Sequence, residues 1–449
     1  MWLRPCKSHF VKSRLMTSVH VLVVGGGIGG IAAAQLLSKV PHIRVTLYER
    51  DAGPTTRDQG LAIGLRQEAV DILTNQLGWP HLAEYFTADG AINLALMSKS
   101  SSTPLILVRN ALSIHLPDGR AASAMISRSD LRNAMMDSLN ATAAEPRDGL
   151  SIFYNKQVVS YVEENEQIVV TCADGTSSMF DCVVGADGAR SRIRAQRCPA
   201  LEPVALGYWT DAGSYMVSNP SDLAATNRLF HYARSSLVRK AGRRGVSFLC
   251  FVYGTHRVLW SLSMPQSVAT ESQLHSALDA PVMREATVQL AKECFDDDVA
   301  NIIAATPSLD MFRGYSFYSV LADTMATNPL GIALASRVTL LGDAAHKTTT
   351  QAGLGATTAL QDALLLANML AGVRRPDDVP DALRRYEVGM CQAAKVVVSA
   401  SIGNTRRIHN SNVWIVGVFN IMARALGGLL HAYYWCADHC RMTWKSKVQ

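Results

Sequence analysis

Val19-His20-Val21-Leu22-Val23-Val24-Gly25-Gly26-Gly27-Ile28-Gly29-Gly30 is the stretch whose reading decides the fold. Five apolar residues around His20 predict a strand, and the glycines break it sharply. An apolar helical pattern then runs from Ile28 to about Val40, and a second strand from Arg44 to Tyr48 ends at Glu49. Strand, turn, helix and strand over about thirty residues make a βαβ unit. Gly25 would form the tight turn, Gly27 would let backbone approach a pyrophosphate, and Gly30 would let the helix pack on the strand. The start of a helix offers free N–H groups and a positive dipole to phosphates. Glu49 stands where a carboxylate accepts hydrogen bonds from a ribose. A glycine-rich turn alone says less; with strand, helix, strand and terminal acid in place the unit reads as dinucleotide-binding. At this point NAD and FAD both remain open.

Two later stretches decide between them. Strands expected at 157–163, 167–173 and 179–184 form a meander with turns at Glu163-Glu164-Asn165-Glu166 and Asp174-Gly175, and the last runs into Gly185-Ala186-Asp187-Gly188. Much later, a strand at Val338 to Leu341 runs into Gly342-Asp343-Ala344-Ala345-His346, and a helical pattern follows from near Gly355 to Leu370. A carboxylate at a strand end ahead of a helix can hold ribitol hydroxyls, and Gly353 and Gly355 permit close approach at that helix start. His346, in an apolar run, reads as structural. No second dinucleotide unit is visible, so the pattern favours FAD.

The order and spacing of these motifs resemble the FAD-dependent aromatic hydroxylases and monooxygenases related to para-hydroxybenzoate hydroxylase, especially microbial and fungal biosynthetic members. The resemblance spans roughly residues 18–400. It is carried by the glycine turn with Glu49, by Arg128 in Ile126-Ser127-Arg128-Ser129-Asp130-Leu131, by Asp187-Gly188, and by Gly342-Asp343-Ala344-Ala345-His346. It implies that Glu49 binds the adenosine ribose, that Arg128 lies along the FAD, and that Asp343 faces ribitol and pyrophosphate. The backbone around Gly355 and Ala356 would then lie near the flavin ring. It implies that Gly60 and Ala62, in Arg57-Asp58-Gln59-Gly60-Leu61-Ala62, pass the flavin. Asp187-Gly188 would serve both FAD and NAD(P)H. Thr350 stands where the family commonly has Pro, Thr357 where it usually has Asn, and Met390 where an arginine is frequent.

The resemblance implies an α/β fold, mixed with α+β features. A discontinuous Rossmann-like FAD domain is expected over 17–90, 122–198 and 325–400, with a substrate domain over 91–121 and 199–324. Runs at Ile92–Met97, Leu105–Val108, Ser247–Tyr253 and Val258–Met264 suggest a mixed sheet covering the flavin. The implied activity is monooxygenation: NAD(P)H reduces the flavin, O2 supplies the oxygen atom, and an apolar or aromatic small molecule is hydroxylated or epoxidised. Secondary-metabolite biosynthesis is the implied setting. For a phenolic substrate, a cation and a hydroxyl donor would favour the phenolate, and Arg194 and Tyr232 are the residues expected there; Tyr208, Tyr215 and Trp260 are rival wall residues. A FAD-dependent reductase or dehydrogenase, or a catalytically silent flavoprotein, are the alternatives.

Composition bounds the rest. The chain has 449 residues, 48% hydrophobic and 18% charged, which is globular rather than disordered. Nine scattered cysteines without a C-x-x-C pair argue against a disulfide framework or a zinc site, and for a reducing compartment such as the cytoplasm. The net charge of +6 sits at the ends. Arg4, Lys7, Lys12 and Arg14 mark a basic leader over 1–16, flexible or a weak mitochondrial presequence. Arg406, Arg407, Arg424, Arg441, Lys445 and Lys447 oppose only Asp438 at the other end. The body between is slightly negative, which speaks against nucleic acid.

The last stretch, within a helical extension over 401–449, is almost wholly apolar from Val413 to Tyr434. Arg424 in its centre would cost about 2.5–3.5 kcal/mol to insert in a bilayer. Gly417, Asn420, Arg424, Gly428 and His431 share one helical stripe. That suits a helix lying on a membrane surface, with Tyr433, Tyr434 and Trp435 at the interface, or one packed on the protein or a second copy.

Overall fold

The computed structural model describes residues 18–53, 62–86, 92–98, 103–144, 149–164, 166–217, 227–254, 256–274, 279–307, 311–319 and 336–410. The basic leader, Gly60, and the apolar stretch 413–434 with Arg424 lie outside the described residues.

Two sheets organise the molecule. The first has five parallel strands in the order Val338–Leu340, Cys182–Gly185, Val19–Val24, Ile43–Tyr48, Leu150–Phe153. Its strands read as near-continuous apolar runs because both faces are covered. Val21, Val23, Val45 and Leu47 share one face, which meets the alanine-rich helix Ile28–Ser38. That helix crosses the helices Arg128–Ala144 and Gly355–Leu370. The small residues let the crossing be close: a Cβ on Gly29 would lie 3.1 Å from Ala359 Cβ. His20, Thr46 and Tyr48 share the opposite face. A three-stranded antiparallel sheet, Val158–Glu164, Gln167–Cys172 and Ser177–Phe180, covers it. Phe180 packs edge-on to His20 with ring centroids 4.7 Å apart.

The expected strand over 179–184 is in fact two strands in two sheets. Asp181 is the crossing point: its N–H donates to His20 O at 2.9 Å. Its carboxylate accepts from His20 N at 2.8 Å and from Gln167 Nε2 at 3.3 Å. An acid that caps both sheets ends the meander and starts the parallel strand, which alternation alone does not show.

The second sheet has seven strands in the order Met311–Ser319, Val204–Met216, Arg257–Pro265, Ser247–Tyr253, Ser236–Ala241, Asn93–Met97, Ile106–Val108. Only the Ser236–Ala241 and Asn93–Met97 pair is parallel, so the sheet is mixed, as the sequence implied. One face carries Trp209, Val238, Phe248, Cys250, Trp260 and Leu262, buried beneath helices Arg228–Ala233, Ala280–Cys294 and Asp297–Ala304. Trp260 donates its indole N–H to Thr306 Oγ1 at 2.7 Å. Truncating such a ring to alanine costs about 3–5 kcal/mol. The other face carries Leu249, Phe251, Tyr253 and Leu259, which meet Ala62 and Met125 of the first body.

The helix Val379–Ile408 runs 30 residues without a break. It passes straight through the boundary expected at 400, and its last two turns reach the second sheet. His409 ends it, accepting from Ser263 Oγ at Nε2 (3.1 Å) and donating from Nδ1 to Thr405 O (2.6 Å). That tautomer suits a ring that burial drives to a pKa of about 4.

Asp211 on the helix-covered face is fully buried, accepting from Trp209 Nε1 at 2.9 Å and Thr287 Oγ1 at 3.1 Å. Burial pushes its carboxyl from 3.8 up to about 6. A raised folded pKa means the native state binds the proton more tightly, so this group's contribution to stability falls as pH rises from 3.8 to about 6. Asp211→Asn removes the charge and keeps both contacts, its Oδ1 accepting from Trp209 and its Nδ2 donating to Thr287 Oγ1, whose own proton then goes to Met283 O. Thermal unfolding should show the variant more stable than the parent near neutral pH, by up to about 3 kcal/mol. The gain should vanish in acid; equal stability at every pH contradicts the buried-charge assignment.

Candidate functional site

Four parallel strands end at the same edge of the first sheet, and each end carries a residue singled out in the sequence. Ligands in open α/β sheets bind at that edge. After Val24 the chain turns at Gly25 with φ +109°, and a Cβ there would lie 2.5 Å from Ala186 O. A Cβ on Gly30 would lie 2.0 Å from Gly25 O, so the turn and helix cannot close with any side chain at that position. Gly27 differs: a Cβ there would meet nothing within 4 Å. The helix behind it starts without a side-chain cap and without an acid in its first turn. Its orphan N–H groups and dipole therefore face open space, which suits an anion.

Glu49, buried, accepts from Gly26 N at 2.7 Å and Asp51 N at 2.9 Å. Arg132 stands beside it, with Nη2 3.8 Å from the carboxylate and Nε donating to Gly26 O at 2.8 Å. Glu49 thus holds the glycine turn, and a carboxylate's four acceptor positions leave room for a further donor.

Asp187, at the third strand end, uses Oδ2 to cap the next helix, accepting from Arg192 N at 2.8 Å. Its Oδ1 is buried with no described partner. Arg194 is 3% exposed, and its amino groups donate to Ala344 O at 3.0 Å and Ala189 O at 2.8 Å. It pins two turns together; only Nε lacks a described partner. The guanidinium expected to face a substrate is thus committed to backbone carbonyls.

Asp343 opens the helix Asp343–His346 at the fourth strand end. It is exposed to solvent, although protein packs closely around it. That enclosure raises its carboxyl above the usual range, against the opposing pull of His346, Lys347, Arg128 and Arg194. His346 is buried: Nε2 meets Asp362 Oδ2 at 2.6 Å, and the same oxygen accepts from Gly342 N at 3.0 Å. Burial alone would lower this imidazole, but Asp362 outweighs it and the net shift is upward. A Cβ on Gly355 would lie 3.9 Å from Asp343 Oδ1, so Gly355 and Ala356 start the next helix beside Asp343. Ala62 pairs with Ser127, next to Arg128. Arg128 is lowered by burial and by Arg132, and supported by Asp343. Thr357 is buried and accepts from Arg66 N at 3.1 Å, tying the strand after Ala62 to that same helix start.

Tyr232 goes elsewhere. Its helix packs on the helix-covered face of the second sheet, where Tyr232 lies against the core of Phe230 and Val238. Strand alternation puts Trp260 and Tyr215 there too. Tyr208 faces the other way, stacked on His409 with centroids 4.3 Å apart. On that inner face lies an arginine the sequence reading passed over. Arg239 is 8% exposed and donates from Nη1 to Gln351 Oε1 at 3.0 Å. Gln351 is held in turn, its carbonyl accepting from Asn404 Nδ2 at 2.6 Å. The signals for these were a charge at an inward position of an apolar strand, and Arg132 one helical turn after Arg128.

A family model described as "FAD binding domain" matches residues 18–401. Aurachin C monooxygenase/isomerase of Stigmatella aurantiaca is 24% identical over 387 residues, covering 86% of this chain and 89% of that protein. The FAD-dependent monooxygenase esdpE of Penicillium shearii is 27% identical over 366 residues, covering 78% and 68%. Among solved structures, Klebsiella pneumoniae HpxO complexed with FAD and uric acid superposes with a TM-score of 0.70 at 20% identity, covering 92% of this chain and 94% of that one. At that identity the likeness shows the fold.

The open space above Gly27, the uncapped helix start and the unpartnered Asp187 Oδ1 fit the cofactor named by the family match. Two glycine variants separate the cradle from the scaffold. Gly27→Ala should leave the apoprotein within about 1 kcal/mol of the parent, the scale of a helix-cap change, while FAD affinity drops at least tenfold, as equilibrium dialysis would read. Gly30→Ala should destabilise the apoprotein itself. If Gly27→Ala binds FAD like the parent, the pyrophosphate is not at this turn.

Proposed function

We propose that this chain, which belongs to the FAD binding domain family, is a FAD-dependent monooxygenase that uses NAD(P)H and O2 to hydroxylate or epoxidise a small molecule. The observation that carries the reading is that curated monooxygenases match it over 78% and 86% of its length, not over the glycine turn alone. The bound flavin would supply the redox chemistry, taking reducing equivalents from NAD(P)H and delivering one oxygen atom of O2.

The chain's residues then divide the work. The N–H groups after Gly27 hold the pyrophosphate, and Glu49 adds the adenosine ribose to the donors it already accepts. Arg128 lies along the cofactor, Asp343 accepts from the ribitol, and the backbone at Gly355 and Ala356 borders the flavin ring together with Gly60 and Ala62. Asp187-Gly188 faces both FAD and NAD(P)H. The inner face of the second sheet, with Leu237, Leu249, Phe251 and Leu259, excludes water from the reacting centre. Arg194 acts there through the turns it pins, and Tyr232 through the sheet's far side.

Two finer points belong to the same reading. The setting is secondary-metabolite biosynthesis, as the resemblance implies. The stretch from Val413 to Tyr434 rests on a membrane surface; among the described residues no helix is long and apolar enough to cross one. Deleting 411–449 should release the protein from anionic liposomes with FAD still bound. Equal liposome binding of the two forms argues against a membrane role for the tail.

Anaerobic NADPH should bleach the flavin, and admission of oxygen should restore it. With the true substrate, oxygen-18 gas should label the product. Unlabelled product would make the protein a reductase or dehydrogenase instead. Asp343→Ala should lose most turnover and weaken FAD binding; a fully active variant would remove Asp343 from the site.

A further inference from the structure

The first sheet carries a cleft away from its strand ends. About 260 Å³ in volume, it opens on the face turned away from the helix Ile28–Ser38, between the edge strand Leu150–Phe153 and the strand Ser177–Phe180 of the covering meander. Register builds its floor: Thr46 lies beside Ser151, and Tyr48 beside Phe153. Alternation puts Arg44 on the same face, two residues before Thr46. His20 pairs with Arg44 from the next strand.

One end of the cleft is aromatic. Tyr48 stands edge-on to Phe153 and to Phe180, with ring centroids 5.8 and 5.9 Å apart. Its hydroxyl donates to Ser178 Oγ at 3.3 Å, which fixes the ring. Tyr48 and Phe180 are buried, but Phe153 is 46% exposed, so one ring of the group has an open face. Parallel sheets are ordinarily covered on both faces, and natural edges are ordinarily covered or charged. Here the edge strand ends in an uncovered phenyl ring.

The other end is cationic. Arg44 is exposed and has no ion pair or hydrogen-bond partner for its side chain among the described residues. No acid is among the residues that line the cleft. His20 feels the Arg44 charge: its imidazole is held below the usual value by burial first and by Arg44 second, against the pull of Asp181. It is therefore neutral at neutral pH, with Nε2 engaged to Thr46 Oγ1 at 2.9 Å, and Arg44 sets the sign of the cleft. Ser151 adds an exposed hydroxyl between guanidinium and rings.

Spacing and size then define the ligand. Four residues of strand put the Cα atoms of Arg44 and Tyr48 about 13 Å apart. A ring seated by Tyr48 must therefore carry its anion on an arm of a few bonds to reach the arginine. Sites for drug-sized ligands hold roughly 300–1,000 Å³, so this smaller cleft suits one or two rings.

We propose that the cleft binds a small aromatic acid, its ring against Phe153 and Tyr48 and its carboxylate carried on a short alkyl arm to Arg44 and Ser151. None of the lining residues is among those assigned to FAD, so the ligand is bound there and not oxidised. The assignment goes beyond the monooxygenase reading and does not depend on it.

The test titrates full-length, FAD-loaded protein by calorimetry with 3-phenylpropionate and indole-3-propionate. The neutral match is 3-phenylpropionamide, and propionate is the anion without a ring. At least one aromatic acid should bind with Kd of about 1 mM or below. It should bind about threefold or more tightly than the amide, a modest ratio because Arg44 is exposed. Propionate should bind more weakly than either acid. Arg44→Gln should bring the acids down to the level of the amide. Ser151→Trp, which fills the cleft from an exposed position, should abolish binding of all four probes. Both variants should keep the parent's flavin content and its reduction by NADPH. The assignment is overturned if no aromatic acid binds, if amide or propionate matches the acids, or if either variant binds like the parent. Loss of flavin from both variants overturns it too, by placing these residues in the cofactor site. Flavin content and reduction are read separately, so failure of the cleft leaves the monooxygenase reading standing.

Discussion

The hydrogen bond from Gly26 N to the buried carboxylate of Glu49, 2.7 Å long, sets the geometry on which the cofactor edge depends. It joins the turn after the first strand to the end of the second. Arg132 completes the clamp from the helix behind, holding the carbonyl of Gly26 and facing Glu49. A buried carboxylate is tolerable only when donors surround it, and here two amides and a guanidinium do so. With the turn fixed, Gly25 can press against Ala186, and the Asp187 segment is placed next to the first helix. Three strand ends are thereby located relative to one another before any ligand is considered.

The fourth strand end, and the second sheet, are located by the helix Val379–Ile408. Near its start Tyr386 donates to Leu340 O at 2.9 Å and Glu387 accepts from Thr339 Oγ1 at 2.8 Å, beneath the strand that leads to Asp343. Near its end a buried hydroxyl cluster, Thr349, Ser401 and Thr405, fixes the segment before Gln351. His409 then reaches Ser263 of the second sheet. One helix thus spans from the strand end that carries Asp343 to the second sheet. Burial raises the Glu387 carboxyl to about 7, so this strut holds a neutral acid below that pH and an opposed charge above it. The strut is firmest on the acid side of that value.

What could be read from the sequence was what depends on neighbours in the chain. Gly25, Gly27 and Gly30 sit in a turn whose sterics are local, and Glu49 follows a strand whose period is visible. Gly342-Asp343 likewise follows an apolar strand directly. What could not be read was set by contacts between distant segments. Asp181 splits one apparent strand because His20 and Gln167 both need its carboxylate. Tyr232 lies on the far side of its sheet because helix Arg228–Ala233 packs there, a choice no local pattern encodes. Arg194 resembled a substrate cation in one dimension, yet the carbonyls of Ala189 and Ala344 claim it in three. Arg239 was hidden because a charge in a strand ordinarily points to solvent, and only the pairing of seven strands shows that this one points inward.

The central claim is that the strand ends form a cradle for the whole dinucleotide, with the adenosine half gripped at the glycine turn and Glu49. Titration of the apoprotein with FAD and with FMN, followed by flavin fluorescence, tests it most directly. The account expects one FAD per chain and FMN weaker by about a hundredfold or more, since FMN lacks the half that these residues hold. Equal affinity for the two flavins would contradict it.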